Sequence, residues 1–273
     1  MSGFSAGWLA LREPADRAAR NGTIVAHLAE RLEGRTGITI VDLGAGTGAS
    51  LRALAPCLPG PQSWRLLDLD PDLLAHALAC AGNISDRDGR PVRVATRAVD
   101  LSGPLWQDEL EGADLVTASA LLDLVDTAFL ERLAAACRTH DAAFYAALTV
   151  DGRLGCHPAD PMDEAIFAAF NAHMRRDKGV GPALGPGAAA AAGAIFRAQG
   201  WHVEIAAADW RVASASHRAL ASDLVDGWVD AVAEMAVLDP AALAQWHRRR
   251  QVEIVAGELR LDVGHLDLLA MPA

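Results

Sequence analysis

The sequence predicts an α/β domain built on a doubly wound, mainly parallel sheet, and three features carry that expectation. Ile38, Ile40 and Val41 form a short β-branched run that ends at Asp42. Gly44, Gly46 and Gly48 follow, and residues 51–55 then read as a helix, giving strand, glycine turn and helix in succession. A second strand-like run over 64–67 ends at Asp68, 20 residues beyond Gly48. Strand-like and helix-like runs alternate from there to Val150, the pattern of a sheet with helices on both faces.

Length and composition narrow the classes. The chain has 273 residues, 52% of them hydrophobic, enough for one large domain with insertions. Its formal net charge of −11 argues against nucleic acid as a partner, because such binding needs basic surface to displace counterions. Cys57, Cys80, Cys137 and Cys156 are widely spaced and form no C-x-x-C pair, so they read as reduced, mostly buried thiols of a cytoplasmic protein. The N-terminus lacks the basic and apolar regions of a signal peptide, and no apolar run is long enough to span a membrane.

The glycine turn admits two ligand readings. A dinucleotide fingerprint spaces its glycines G-x-G-x-x-G. Here the spacing is G-x-G-x-G, with Asp42 two residues ahead of the first glycine. An acid there opposes a pyrophosphate dianion but suits a zwitterionic amino acid bearing a sulfonium cation. The stretch closely resembles motif I of the class I S-adenosylmethionine-dependent methyltransferases, and the resemblance covers about residues 38–150 well and the remaining strands loosely. It implies a Rossmann-like seven-stranded sheet with helical insertions, with S-adenosyl-L-methionine as cofactor. Asp42, Gly44, Ala45, Gly46 and Gly48 are its expected contacts. Asp68 stands where a ribose diol is hydrogen-bonded. Leu69 and Pro71 fit the family pattern after that acid. Asp70 replaces a small polar residue there, and reads as an N-cap ahead of Pro71 at the first helical position.

Taken in order, residues 8–33 are expected to be helical, with a new helix starting at Pro14 and a stop at Gly34. The resemblance implies that residues 1–37 form a cover over the cofactor. Arg12 is then a candidate for the cofactor carboxylate, the alternative being a solvated surface charge. A helix over 72–81 ends at Gly82, and 92–96 alternates as a strand. By resemblance Asp100, with Leu101 beside it, meets the adenine amino group; otherwise Asp100 caps a turn. Residues 113–119 form the fourth strand, placing Ser119 and Ala120 at its carboxyl end, where ligands of parallel sheets bind. Asp123 is a candidate general base if it approaches the acceptor. Alternatively Asp123 or Asp126 caps the helix over 127–138.

Residues 142–150 read as strand five, closing a cofactor-binding core over 38–150. Residues 151–187 are richer in Gly, Pro, His and charge, and read as a lid and acceptor insertion containing a helix over 163–174. Arg175, Arg176 and Lys178 are candidates for an acceptor carboxylate or phosphate, or else a solvated helix end whose cations suit the dipole. An alanine-rich helix over 188–199 leads to strand six from Trp201. Two helices over 216–256, divided at Asp239 and Pro240, form a second insertion that shapes the acceptor pocket or packs in a homodimer. Leu220, Leu224, Val225, Trp228 and Val232 mark the apolar face of the first, and Leu243, Trp246, Val252 and Ile254 that of the second. The run Arg248-Arg249-Arg250 reads as a solvated face. Residues 260–272 are the last strand, an antiparallel partner of strand six that the resemblance inserts beside strand five.

His157, His173 and His202 lack metal-ligand spacing, and no P-loop is present. The expectation is one class I methyltransferase domain that transfers a methyl group to a small-molecule acceptor by in-line displacement. The alternatives are a non-catalytic binding or scaffold subunit with this fold, and an NAD(P)-dependent oxidoreductase.

Overall fold

Alternation along the central strands explains the layering. In β1 (Ile38–Leu43), Ile38 and Ile40 point into one apolar cluster while Val41 and Leu43 point into the other. In β2 (Gln62–Asp68), Trp64 and Leu66 face the first cluster and Leu67 the second. A strand apolar on both faces must be covered on both faces. The computed structural model describes residues 4–176 and 182–272 and shows that cover. The first face carries α2 (Gly22–Arg31), α3 (Ala49–Leu54) and α4 (Pro71–Cys80). The second carries α5 (Thr127–His140) and α7 (Ala188–Ala198).

With β3 (Arg93–Ala98), β4 (Leu115–Ser119), β5 (Ala143–His157), β6 (His202–Ala207), β7 (Trp210–Ala213) and β8 (Arg260–Met271), the sheet has the order β3-β2-β1-β4-β5-β8-β6. The strands from β1 to β5 pair in parallel, and β8 runs antiparallel between β5 and β6. The last strand therefore lies beside strand five, as the resemblance implied. The eighth strand, β7, pairs with the first half of β8 and is not anticipated from the sequence.

The largest difference from expectation is β5. Residues 151–157 continue it rather than opening an insertion; residues 154–157 pair with 260–263, after register shifts between Ala146 and Thr149 and between Val150 and Leu154. Beyond this extension stand α6 (Asp163–Met174), α8 (Arg218–Met235) and α9 (Pro240–Ala256), packed on one another. Asp163 of α6 is tied to Trp246 and Arg250 of α9. Arg250 donates to both Asp163 oxygens (2.7 and 2.8 Å), to Glu253 and to the Pro158 carbonyl, and Trp246 Nε1 donates to Asp163 Oδ1 at 2.8 Å. Arg248 and Arg249 are exposed, as expected of a solvated face, but Arg250 is completely buried; Val252, expected on the apolar face, is 69% exposed instead.

The N-terminal segment also differs. Helix α1 (Ala6–Ala19) runs through Pro14 without a break. Pro14 and Ala10 are both exposed, so the carbonyl that loses its donor stays within reach of water. The break comes at Asn21, whose side chain accepts from the Thr23 and Ile24 amides and starts α2. Cys137 and Cys156 are buried, but Cys57 and Cys80 are exposed. Among the described residues no helix is long and apolar enough to cross a membrane.

Candidate active site

A cavity of about 1310 Å³ opens at the carboxyl ends of β1, β2 and β4, roofed by α1 and bordered by the ends of α6 and α8. The order of the sheet reverses there: β1 is followed on one side by β2 and on the other by β4, the position where doubly wound sheets bind ligands. Its floor is the glycine turn. Gly46 and Gly48 have φ of +52° and +83°, backbone that side-chain-bearing residues rarely adopt. An added Cβ at Gly46 would lie 3.1 Å from Leu9 of α1, so the roof sits directly on the turn. Glu13 fixes that roof by accepting two hydrogen bonds from Arg52 of α3 (2.6 and 2.7 Å), while Arg52 also donates to the Thr47 carbonyl.

Asp68 ends β2 at the cavity wall, where Oδ2 accepts from the Gly46 amide (2.7 Å) and Oδ1 from the Asp70 amide (3.0 Å). It joins the glycine turn to the start of α4, which Asp70 caps ahead of Pro71. Gly44, Ala45, Gly46, Leu69, Leu101, Ser119 and Ala120 all lie on the cavity wall. Gly48 is the residue before α3, just behind the wall residue Thr47. Asp42 lies beneath the turn rather than on the wall, 1% exposed, and burial pushes its pKa up to about 7 against the pull of Arg20 and Ser50.

Other expected residues are placed differently. Asp100 is exposed and off the wall; its Oδ1 accepts from the Ser102 amide (2.9 Å), a turn cap that lowers its pKa, while Leu101 and Ser102 reach the cavity. Asp123 is 6% exposed and does not line the cavity, because the turn Leu122–Leu124 packs inward; its neighbour Asp126 caps α5 through the Phe129 amide. The general-base reading of Asp123 therefore has no support in the geometry. Arg175 is exposed, off the wall, and donates to the Asn171 carbonyl, whereas Arg176 reaches the wall, 3.8 Å from Glu234. Lys178 lies outside the described residues.

Arg12 lines the cavity, but its guanidinium is closed on Asp16 (2.9, 3.1 and 3.2 Å) and stacked over Trp210. Burial raises the pKa of Asp16 even against that partner. Arg20, which sequence reasoning passed over, has a freer fork. Its Nη2 donates to Ser119 Oγ at 3.4 Å, while Nε and Nη1 are buried with no hydrogen-bond partner. Burial opposes its charge, but Tyr145, Asp267 and Asp16 outweigh that and keep its pKa above the usual value. The only hint in the sequence was its position beside the Asn21 cap. Arg20 itself lies behind the cavity wall, whereas Arg132, His173 and Glu234 line it and were not anticipated; His173 Nε2 lies 2.9 Å from Glu234.

No protein-family model matches the sequence, and no curated protein sequence matches it. Solved structures do match in shape. A cyclopropane-fatty-acyl-phospholipid synthase-like protein from Lactobacillus casei superposes with a TM-score of 0.53 at 13% identity, over 98% of this chain and 95% of that one. The cyclopropane synthase MmaA2 from Mycobacterium tuberculosis gives 0.51 at 13% identity, over 98% and 94%. An S-adenosylmethionine-dependent methyltransferase from Geobacter sulfurreducens, in complex with S-adenosyl-L-homocysteine, gives 0.50 at 17% identity over the whole of both chains. Together with the strand order and the glycine turn, these likenesses identify the chain's fold as the Rossmann-like fold of the class I S-adenosylmethionine-dependent methyltransferases.

Proposed function

We propose that the chain is an S-adenosyl-L-methionine-dependent methyltransferase acting on a small-molecule acceptor, working as one unit from residue 1 to 273. One observation carries the reading: the glycine turn, whose positive φ angles only glycine adopts freely, and Asp68 form one end of a cavity large enough for a second molecule beside the cofactor. The residues fit the cofactor's chemistry. Asp68 is an acceptor for the ribose hydroxyls, and Leu101 and Ser102 border the base. For the carboxylate the candidates are Arg12, on the wall but closed on Asp16, and Arg20, behind the wall at Ser119 with two donors outside any hydrogen bond. The Geobacter neighbour is a complex with S-adenosyl-L-homocysteine, the cofactor without its methyl group, which agrees with this choice.

When bound, the cofactor supplies an electrophilic sulfonium methyl, and most of the electronic demand of the transfer is met there. The chain's share is alignment and exclusion of water. Helix α1, held on the turn by Glu13 and Arg52, closes one side. Leu121, Leu124, Val125 and Phe129 give the acceptor side an apolar wall.

The test is thermal unfolding with S-adenosyl-L-homocysteine, S-adenosyl-L-methionine or NADH. A ligand at 100 times its dissociation constant adds about 2.7 kcal/mol, a rise of roughly 5–10 °C in midpoint for a chain of this size. The expected result is a rise with the adenosyl compounds alone, reduced in Asp68→Ala by the loss of charged hydrogen bonds worth about 1.5–3 kcal/mol each. A rise with NADH alone rejects the proposal. Release of S-adenosyl-L-homocysteine on incubation with small-molecule extracts separates an enzyme from a binding subunit.

A further inference from the structure

The acids and bases of the cavity wall are mostly matched to one another. Arg12 is closed on Asp16. Asp68, Asp70 and Asp126 each accept from backbone amides. Glu234 is shared by His173 at 2.9 Å and Arg176 at 3.8 Å. Arg132 differs. It projects from the second turn of α5 to the cavity, its guanidinium lies 5.8 Å from the centre of the Phe129 ring, and it makes no hydrogen bond or ion pair among the described residues. Its Nε is buried without a partner, so water does not replace the missing acceptor there. The wall that leads to it is apolar: Leu121, Leu124, Val125 and Phe129 occupy the segment between β4 and the first turn of α5.

Arg132 is half-buried on the cavity wall with its Nε shielded and unpartnered, so an acceptor that reaches its guanidinium from the cavity gains a charge-assisted hydrogen bond that the protein does not supply. We infer that the methyl acceptor is an amphipathic anion: a carboxylate or phosphate monoester pairs with Arg132, and an apolar body lies along Leu121, Leu124, Val125 and Phe129. Arg176, held by Glu234 on the same wall, lends a second positive charge at longer range. The inference rests on the methyltransferase reading, since it names the acceptor of that site. A planar guanidinium suits either head group, because both present two oxygens to its fork. The apolar wall supplies affinity in proportion to the area covered.

The experiment measures binding of octanoate, octyl phosphate, 1-octanol and inorganic phosphate to the whole protein by titration calorimetry, with and without S-adenosyl-L-homocysteine. Arg132→Gln and Arg132→Lys are compared with the wild type. The expected result is that octanoate or octyl phosphate binds at least about tenfold tighter than both 1-octanol and inorganic phosphate, and that Arg132→Gln removes this preference while Arg132→Lys keeps part of it. Preference for the carboxylate or for the phosphate tells the two head groups apart, and either supports the inference. Equal binding of octanoate and 1-octanol overturns it, as does an unchanged preference in Arg132→Gln. S-adenosyl-L-homocysteine binding is read in the same variants and stays as in the wild type. Its loss in the wild type itself would instead reject the methyltransferase reading, while the anion preference would still be scored in its absence. A melting transition checks that each variant is folded, and the lysine variant keeps the test open if glutamine is not tolerated.

Discussion

Arg250→Met unfolds at a midpoint on the order of 10 °C below the wild type, because breaking a buried ion pair from one side costs about 3–5 kcal/mol. Arg250 is wholly buried, and Asp163, 9% exposed, would be left with Trp246 Nε1 as its remaining side-chain donor. Part of the loss is the stranded carboxylate rather than the missing attraction, so the double variant Arg250→Met/Asp163→Asn regains stability over Arg250→Met alone. Urea denaturation of the three proteins checks this. Equal stability of wild type and Arg250→Met would mean that the network is loosely solvated instead of buried.

Asp42→Asn and His265→Gln change the pH dependence of stability in opposite directions. Burial raises Asp42 to about 7, so the folded protein holds a proton that the unfolded chain releases near pH 4. This contribution is full at low pH and is lost as pH rises towards about 7, by up to roughly 1.4 kcal/mol per pH unit. His265 is 2% exposed beside Trp210; burial, helped by the Arg12 charge, lowers its pKa to about 4. The unfolded chain then carries the extra proton between about pH 4 and pH 6.5, so this contribution grows as pH rises through that window. In the wild type the two slopes oppose each other. Relative to the wild type, Asp42→Asn gains stability from about pH 4 to pH 7, and His265→Gln loses it from about pH 4 to pH 6.5. Urea titrations across that range check both; curves parallel to the wild type would show that neither group is shielded as described.

Local chemistry made the glycine-turn half of the cavity legible. The glycine spacing, Asp68 at the end of β2, and Asp70 ahead of Pro71 are each settled by residues a few positions apart, and the expected turn and cap form there. The second half of β5 was not legible, because residues 151–157 are polar and irregular alone and become a strand through pairing with β8, over a hundred positions later. The short strand β7 depends on β8 in the same way. In α9 the pattern was present but obscured by residue type. Positions 243, 246, 250 and 254 keep helical spacing along one face, yet a charged residue at 250 reads as surface until its partner Asp163 is placed. Within the site, Asp123 and Asp126 were equivalent in sequence, and the cap geometry alone separates them. Arg20 and Arg132 lie outside any motif, so their meaning comes from what they lack in three dimensions.

The length of β5 has a consequence for how the two halves of the cavity can vary. Its first half pairs with β4 beside the glycine turn, and beyond it α6 packs on β5 itself while α9 is tied to the strand's end through Arg250 and the Pro158 carbonyl. The spacing between the glycine turn and the rim that holds Arg176 is therefore a ladder count rather than a hinge angle. Inserting or deleting one residue in the strand would displace the rim by about 3.3 Å and turn alternate side chains to the opposite face. The bulges beside Gly152 are the places where such a step can be absorbed. Lengthening the chain there would retune the reach between the glycine turn and the rim in discrete increments, leaving the first half of the same strand in its register.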